Sequence, residues 1–299
     1  MEPICSARLL SHHALQDAFL RRREHRQPLF VEVEPTASCM LRCSFCPRDR
    51  LTRPETKLEF ADLVIILKNL GEPFPASMLM FSGLGEPLIH PRIVSLVKEA
   101  KRAGWVCGLT TNGILLSERM AGELVAGLDV LQISLHATTE ETHQQMAGGG
   151  PLADLVARIR SAVSICRERV VLALDYTMTP HNRAEMSAFA SFWQREGIDC
   201  INFSLCHSRG GALLTNTDLQ ARRSRRVAWP CWCLRHALFI SCQGELLACC
   251  NDLSGESRRG DLRLQRLDEI LLQESTQGRT PPHEICKACD FSFRSPGSA

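Results

Sequence analysis

From Leu29 onward, short apolar β-branched runs alternate with stretches whose apolar residues recur at helical spacing. Leu29 to Glu34 reads as a strand and is followed by a loop. Thr56-x-x-Glu59 has the form of a capping box, with Phe60, Leu63, Val64 and Leu67 on one helical face and Gly71 as the stop. Met78 to Phe81 reads as a second strand. Pro91 marks a helix start with Ile93, Leu96, Val97 and Ala100 at core spacing and Gly104 at the end. Trp105 to Leu109 is a third strand, and Ser117 caps the helix after it. Val130 to Leu135 is a fourth, with a helix through Leu152, Leu155, Val156, Ile159 and Val163. Val170 to Tyr176 is a fifth. The next helix begins at Asn182 and Glu185, turns Met186, Phe189, Ala190 and Trp193 inward, and closes at Gly197; Cys200 to Cys206 makes a sixth strand. Such alternation, with nearly continuous apolar strands, predicts an α/β fold whose parallel sheet is covered by helices. Six units fall short of a closed eightfold barrel, and ligands of such sheets sit at the carboxyl ends of the strands.

The periodicity is confined to residues 29–207. Residues 1–28 form a basic, helix-prone extension with Arg21, Arg22, Arg23 and Arg26, expected to be solvated or to contact an acidic peptide or a phosphate. The segment is too short for a separate peptide-binding domain. Residues 208–229, with Arg222-Arg223-Ser224-Arg225-Arg226, read as a linker with a solvated basic run, binding of an anionic substrate being the alternative. In 230–292, Ala237 to Ser241 and Glu245 to Ala248 read as a hairpin turning at Gln243-Gly244, and a helix lies around Leu264 to Leu272; residues 293–299 are a tail.

Composition narrows the class. A hydrophobic fraction of 44% and a charged fraction of 23% are ordinary for a globular protein. The net charge of +2 gives no argument for nucleic acid or membrane. The first residues lack the basic-then-apolar order of a secretory signal, and no apolar run approaches the ~18 residues of a spanning helix. Fifteen cysteines without an export signal imply metal ligation in a reducing, cytoplasmic setting rather than disulfides.

Three of those cysteines, Cys39, Cys43 and Cys46, fall within eight residues directly after the first strand. Four-iron clusters are normally held by four cysteines, so three leave one iron open, and an open metal position usually marks a catalytic site. A zinc loop, a redox pair or buried free thiols compete, but zinc wants a fourth ligand nearby and no Cys or His lies between Pro47 and His90. The C-x3-C-x2-C spacing, with Phe45 before the last cysteine, resembles the signature of the radical S-adenosylmethionine (SAM) superfamily. The resemblance implies a partial (β/α)6 TIM-like barrel and a [4Fe-4S] cluster whose open iron is chelated by SAM. It also implies a flavodoxin- or ferredoxin-type reductant and cleavage of SAM to a 5′-deoxyadenosyl radical.

Other strand ends fit that expectation. Phe81-Ser-Gly83-Leu-Gly85-Glu86-Pro87 resembles the family's Gly-Gly-Glu-Pro motif, with Leu84 parting the glycines. Glycine permits close backbone approach, and a carboxylate or carbonyl there can accept the ammonium hydrogens of SAM. By the same resemblance Asn112 belongs to the polar turn Thr110-Thr111-Asn112-Gly113. Ser134 lies where ribose or carboxylate contacts arise, and Phe45 packs near adenine. His136, Asp175, Tyr176 (the only tyrosine), His207 and Arg209 are the candidates for substrate binding or proton transfer.

The layout Cys, hairpin, Gly-x4-Cys, helix, C-x2-C over residues 231–289 resembles the SPASM/Twitch tail of radical SAM enzymes, which holds an auxiliary [4Fe-4S] cluster. Cys231, Cys249, Cys286 and Cys289 match best; Cys233 could replace Cys231, and Cys250 could replace Cys249. A zinc ribbon is the competitor. No cysteine follows Cys289, which favours one auxiliary cluster, the Twitch form. Cys5, Cys107, Cys166, Cys200, Cys206 and Cys242 are expected to be small buried apolar residues. The expected reaction is a net oxidation of a small molecule such as a sugar alcohol or aminocyclitol. Modification of a ribosomally made peptide, or a non-catalytic iron–sulfur or zinc electron carrier or sensor, are the alternatives.

Overall fold

The computed structural model describes residues 4–5, 30–73, 77–213, 234, 237–276 and 283–290. The basic clusters at Arg21–Arg26 and Arg222–Arg226 lie outside these, as do Cys231 and Cys233. The strands are β1 (Ile4–Cys5), β2 (Phe30–Val33), β3 (Met78–Phe81), β4 (Val106–Thr111), β5 (Val130–Ser134), β6 (Val171–Met178), β7 (Cys200–Leu205), β8 (Ala237–Ile240), β9 (Glu245–Leu247) and β10 (Arg258–Asp261). The helices are α1 (Phe60–Leu70), α2 (Ile93–Arg102), α3 (Glu118–Leu124), α4 (Glu140–Met146), α5 (Leu152–Cys166), α6 (Met186–Arg195), α7 (Leu267–Thr276) and α8 (Glu284–Lys287).

One sheet carries all the strands in the order β1-β7-β6-β5-β4-β3-β2-β8-β9-β10. Strands β2 to β7 are parallel neighbours in sequence order. The sheet has two free ends and does not close, so the expected partial barrel is what forms. The tail hairpin is continuous with it. β8 pairs in parallel with β2, Val31 opposite Leu238 and Val33 opposite Ile240, and β9 folds back antiparallel. Leu238, Ile240, Leu246, Leu262, Leu267 and Ile270 join the hydrophobic cluster that holds Val31 and Val33.

The strands are less uniformly apolar than the pattern suggests, because their two faces meet different surroundings. Val31, Val33, Leu79, Phe81, Leu109, Leu131, Leu174 and Ile201 are buried in the main core under the helices. The intervening residues face the inside of the barrel. At its amino-terminal end Met78, Val106, Val130 and Val171 form a separate apolar cluster, which closes the floor. Nearer the carboxyl ends the same face carries Glu32, Gln132, Asp175 and Asn202. The result is a lumen with an apolar floor and a polar mouth.

Two local expectations change. The capping box at Thr56 does not form: Glu59 is the N-cap of α1 without a side-chain bond, and the Thr56 hydroxyl instead meets the Cys242 thiol at 3.3 Å. The connection after β5 contains the extra helix α4, capped by Thr139, before α5. Ser117 caps α3 and Gly71, at φ 83°, ends α1 as expected. Cys107, Cys166, Cys200, Cys206 and Cys242 are buried.

Candidate functional site

The cysteine loop leaves the carboxyl end of β2 and is held by backbone contacts around its cysteines. The Glu86 amide donates to the Ser38 carbonyl at 2.8 Å, and the Ser44 amide to the Met146 carbonyl at 2.9 Å. Arg48 donates to the carbonyls of Ala37 and Cys39 at 3.3 and 3.2 Å. Gly85 is required here by the loop itself: a Cβ would lie 2.0 Å from the Thr36 carbonyl oxygen. Gly83, at φ 122°, is likewise pressed against Glu34. Both glycines therefore serve close packing of the chain on itself.

The three loop thiols are half-buried. Burial raises the pKa of Cys39, and burial together with the nearby Cys46 and Cys39 pushes Cys43 up to about 12. Thiols this shielded and this close to one another become thiolates when cationic metal replaces their protons. Among the described residues no three His, Cys, Asp or Glu side chains converge on a point, as the ligands of a single ion would. Three thiols on one short loop suit three corners of an iron–sulfur cube.

Behind the loop, Glu86 is buried and accepts from the Thr111 hydroxyl (2.6 Å), the Asn112 amide (2.7 Å) and the Leu88 amide (3.0 Å). Its carboxylate thus pins the turn after β4. The Asn112 side-chain nitrogen then points at Met40 Sδ (3.2 Å) and Cys39 Sγ (3.9 Å). A cavity of about 30 Å³ brings Cys43, Asn112, Ser134 and His136 together. Phe45 packs edge-on against His136, ring centroids 4.7 Å apart. His136 accepts the Thr177 amide at Nδ1 (3.0 Å), and burial, with a smaller contribution from His143, lowers its pKa to about 3. It is a neutral, hydrogen-bonded support.

Tyr176 moves out of the candidate set. Because Asp175 faces the lumen, its neighbour must face the helices; Tyr176 is fully buried against Phe189 and donates to the Asn182 carbonyl at 2.7 Å. Burial raises its pKa further.

The lumen collects the groups able to meet a substrate. Asp175 accepts from Gln132 and Asn202, and burial raises its pKa. Glu32, which no motif singled out, accepts from the Ser82 hydroxyl at 2.8 Å and from the Cys250 thiol. Its pKa is raised chiefly by burial. Arg209, in the left-handed region at φ 51°, is near enough to pull both carboxyls down. His207 accepts the Arg209 amide at Nδ1 (3.1 Å); burial, then Arg209, lowers its pKa to about 3. The alternation Val-Glu-Val-Glu at 31–34 was the available signal for Glu32: acidic side chains on the strand face opposite the two core valines.

The tail reaches the same mouth. Cys250 touches Glu32, which puts its thiol toward the lumen and leaves Cys249 beside it. Cys286 and Cys289 flank the end of α8, whose following Asp290 accepts from the Ser208 amide and hydroxyl just after β7 (2.7 and 2.6 Å). A buried ion pair ties tail to head. Arg53 donates to both oxygens of Glu34 (2.5 and 2.7 Å). Glu34 also accepts from the amides of Leu84 and Cys242 (3.1 and 3.3 Å), and the Arg53 amide donates to the Leu253 carbonyl at 3.2 Å.

The model of the radical SAM superfamily matches residues 33–192, more than half of the chain. The chain belongs to the radical SAM superfamily. A second family model, the SPASM iron-sulfur cluster-binding domain, matches residues 231–290. The first domain implies SAM and a [4Fe-4S] cluster, and the second implies auxiliary iron–sulfur clusters. The tungsten-containing aldehyde ferredoxin oxidoreductase cofactor-modifying protein of Pyrococcus furiosus is 26% identical over 178 residues, 58% of this chain and 50% of that one. A probable GTP 3′,8-cyclase of Saccharolobus islandicus is 27% identical over 181 residues, 60% and 58% of the two chains. The matched region thus spans only half to about three-fifths of these curated relatives. Among solved structures, SuiB of Streptococcus suis bound to the precursor peptide SuiA aligns at TM-score 0.68 and 13% identity, covering 93% of this chain and 73% of that one. BtrN in complex with AdoMet and 2-DOIA aligns at TM-score 0.55 and 16% identity, covering 88% and 92%. At these identities the two structures establish the shared radical SAM fold. Among the described residues no helix is long and apolar enough to cross a membrane.

Proposed function

We propose that this radical SAM enzyme is an oxidoreductase that dehydrogenates a small, hydroxyl-bearing molecule such as a sugar alcohol or aminocyclitol. The observation that carries the reading is the lumen: floored by Met78, Val106, Val130 and Val171, lined above by Glu32, Gln132, Asp175 and Asn202, with the Cys250 thiol against Glu32. Cys39, Cys43 and Cys46 would hold the SAM-binding cluster, and Cys249, Cys286 and Cys289, with Cys231, one auxiliary cluster. Asn112, Ser134 and the 83–86 turn would shape the SAM pocket, with Phe45 supported on His136. Once bound, SAM and the clusters supply removal of one hydrogen atom and one electron from the substrate, drawing on a flavodoxin- or ferredoxin-type reductant.

The chain's own task is then the proton released as a carbinol becomes a carbonyl. His136 and His207, with pKa values of about 3, are weak bases, and Tyr176 is out of reach. Asp175 suits the role: burial lifts its basicity toward working pH, and Gln132 and Asn202 fix its orientation. Modification of a ribosomal peptide is the second reading, favoured by the likeness to the peptide-bound SuiB structure. The domain parse behind both is a barrel over 29–207, a linker over 208–229 and a cluster tail over 230–292.

The test is anaerobic reconstitution, with about eight iron atoms per chain expected for two cubes. Reduced protein and SAM would be incubated with polyols, aminocyclitols or an acidic leader peptide. Deoxyadenosine formed together with a ketone in the polyol or aminocyclitol arm supports the reading. Turnover with peptide alone sinks it.

A further inference from the structure

The turn after β4 holds one side-chain amide against the cysteine loop in a single orientation. Glu86 accepts from the Thr111 hydroxyl and from the Asn112 backbone amide, which fixes where Asn112 stands. The Asn112 side-chain oxygen then accepts from the Ile114 amide at 3.0 Å. With the oxygen so engaged, the NH2 group must occupy the other end of the amide. That end meets two sulfurs of the loop, Met40 Sδ at 3.2 Å and Cys39 Sγ at 3.9 Å. Cys39 Sγ also accepts from the Leu41 amide at 3.4 Å. Among the described residues no other side chain donates to the sulfur of Cys39, Cys43 or Cys46. The NH2 group has one N–H for each of its two sulfurs, and a thioether is a weak acceptor. A cysteine that ligates metal is a thiolate, and a hydrogen bond to a charged acceptor is roughly twice as strong as a neutral one.

We propose that Asn112 is a positioning residue of the SAM-binding cluster that raises its reduction potential through a hydrogen bond to the Cys39 thiolate. The inference rests on the reading above, in which Cys39, Cys43 and Cys46 hold that cluster, and deepens it. Reduction adds one electron, supplied by the flavodoxin- or ferredoxin-type donor, and no proton, so the cluster with its thiolates becomes more negative by one charge. A donor aimed at a ligand sulfur stabilises that added charge, and hydrogen bonds to the sulfurs are among the factors that set iron–sulfur potentials. Asn112 thereby eases entry of the electron that SAM cleavage consumes. Glu86 and Thr111 act one step further out, by holding the backbone from which the amide reaches.

The test is potentiometry of the anaerobically reconstituted full-length protein, followed by electron paramagnetic resonance and run without SAM, so that contacts to SAM do not enter. The head cluster is the signal that changes when SAM is added to a companion sample, and the tail cluster is the internal reference. Asn112→Asp keeps the shape and an acceptor for Ile114 but puts an oxygen where the donor was. It should shift the head cluster's reduction equilibrium at least about tenfold toward the oxidised form, about 59 mV for one electron, and leave the tail cluster within about twofold. Asn112→Leu removes the donor without adding charge and should shift the head cluster the same way, by about threefold. Iron content reports loading; if Asn112→Asp loses iron, Asn112→Leu decides by its own threefold shift. A head potential that is unchanged or raised, or a shift shared equally by both clusters, overturns the role of Asn112 and leaves the SAM-site reading standing. If no signal of the native protein responds to SAM, or the response survives Cys43→Ala, that reading fails and the role of Asn112 with it.

Discussion

Replacing Arg53 with methionine should loosen the tail without touching a cysteine. Its side chain is 2% exposed, and it grips both oxygens of Glu34, which is 0% exposed. Removing the guanidinium leaves a carboxylate sealed from water with only the Leu84 and Cys242 amides as donors. Breaking a buried pair from one side costs about 3–5 kcal/mol, whereas replacing both partners costs far less. Glu34→Gln keeps an acceptor for only one of the two amides, which meet different oxygens of Glu34, so Glu34→Gln/Arg53→Met should recover part of the loss. The residual penalty, on the order of 1–2 kcal/mol, is the hydrogen bonding of a neutral site. The assay is anaerobic urea denaturation of the four proteins of the cycle. Hydrogen exchange would be followed in residues 237–262, because Arg53 also donates to the Asp252 carbonyl and the head loop to the Leu253 carbonyl. The expected result is a coupling energy above about 1 kcal/mol and protection lost first around Cys242 and Leu253. Additive single effects, or Arg53→Met costing less than about 1 kcal/mol, would refute the reasoning, since only an exposed pair behaves so.

Other consequences are simpler to state. Cys43→Ala should abolish 5′-deoxyadenosine formation from SAM; persistent cleavage would move the SAM site elsewhere. Cys286→Ala should retain some uncoupled SAM cleavage but yield no product, and unaltered turnover would deny the tail cluster a place in the electron path. Glu185 gathers bonds from Thr138, Thr139 and Thr142 at the start of α4. Burial pushes its carboxyl up, but those bonds outweigh burial and the net pKa is lowered. Its stabilisation is therefore complete above the unfolded value of about 4.3 and is lost as pH falls through the folded one. Exchange protection of α4 should decline over that acid range in the native protein and be nearly pH-independent in Glu185→Gln.

Much of this protein is local in origin. Alternating strand and helix periods, the stop at Gly71, the cap at Ser117 and the hairpin turn at Gly244 depend on neighbours within a few residues, so they read directly from the chain. The cysteine loop is local too, since its ligand spacing is covalent. Thr56 shows the limit: its capping role gave way to a contact with Cys242, 186 residues on, which no local rule weighs.

What the chain by itself determined is therefore the inventory: an open α/β barrel, three thiols after the first strand, and a cysteine-rich tail. Tertiary structure alone decided which groups share a space. Strand register sent Asp175 into the lumen and Tyr176 into the helix layer, and it turned Glu32 toward the same lumen. Pairing of β8 with β2 made the tail part of the barrel sheet. Partnership across the fold also separated Glu34, which pairs with Arg53, from Glu32, which meets the Ser82 hydroxyl. The reason is physical: side-chain type and spacing are carried along the chain, but burial and counter-charge are properties of neighbours that only folding brings near.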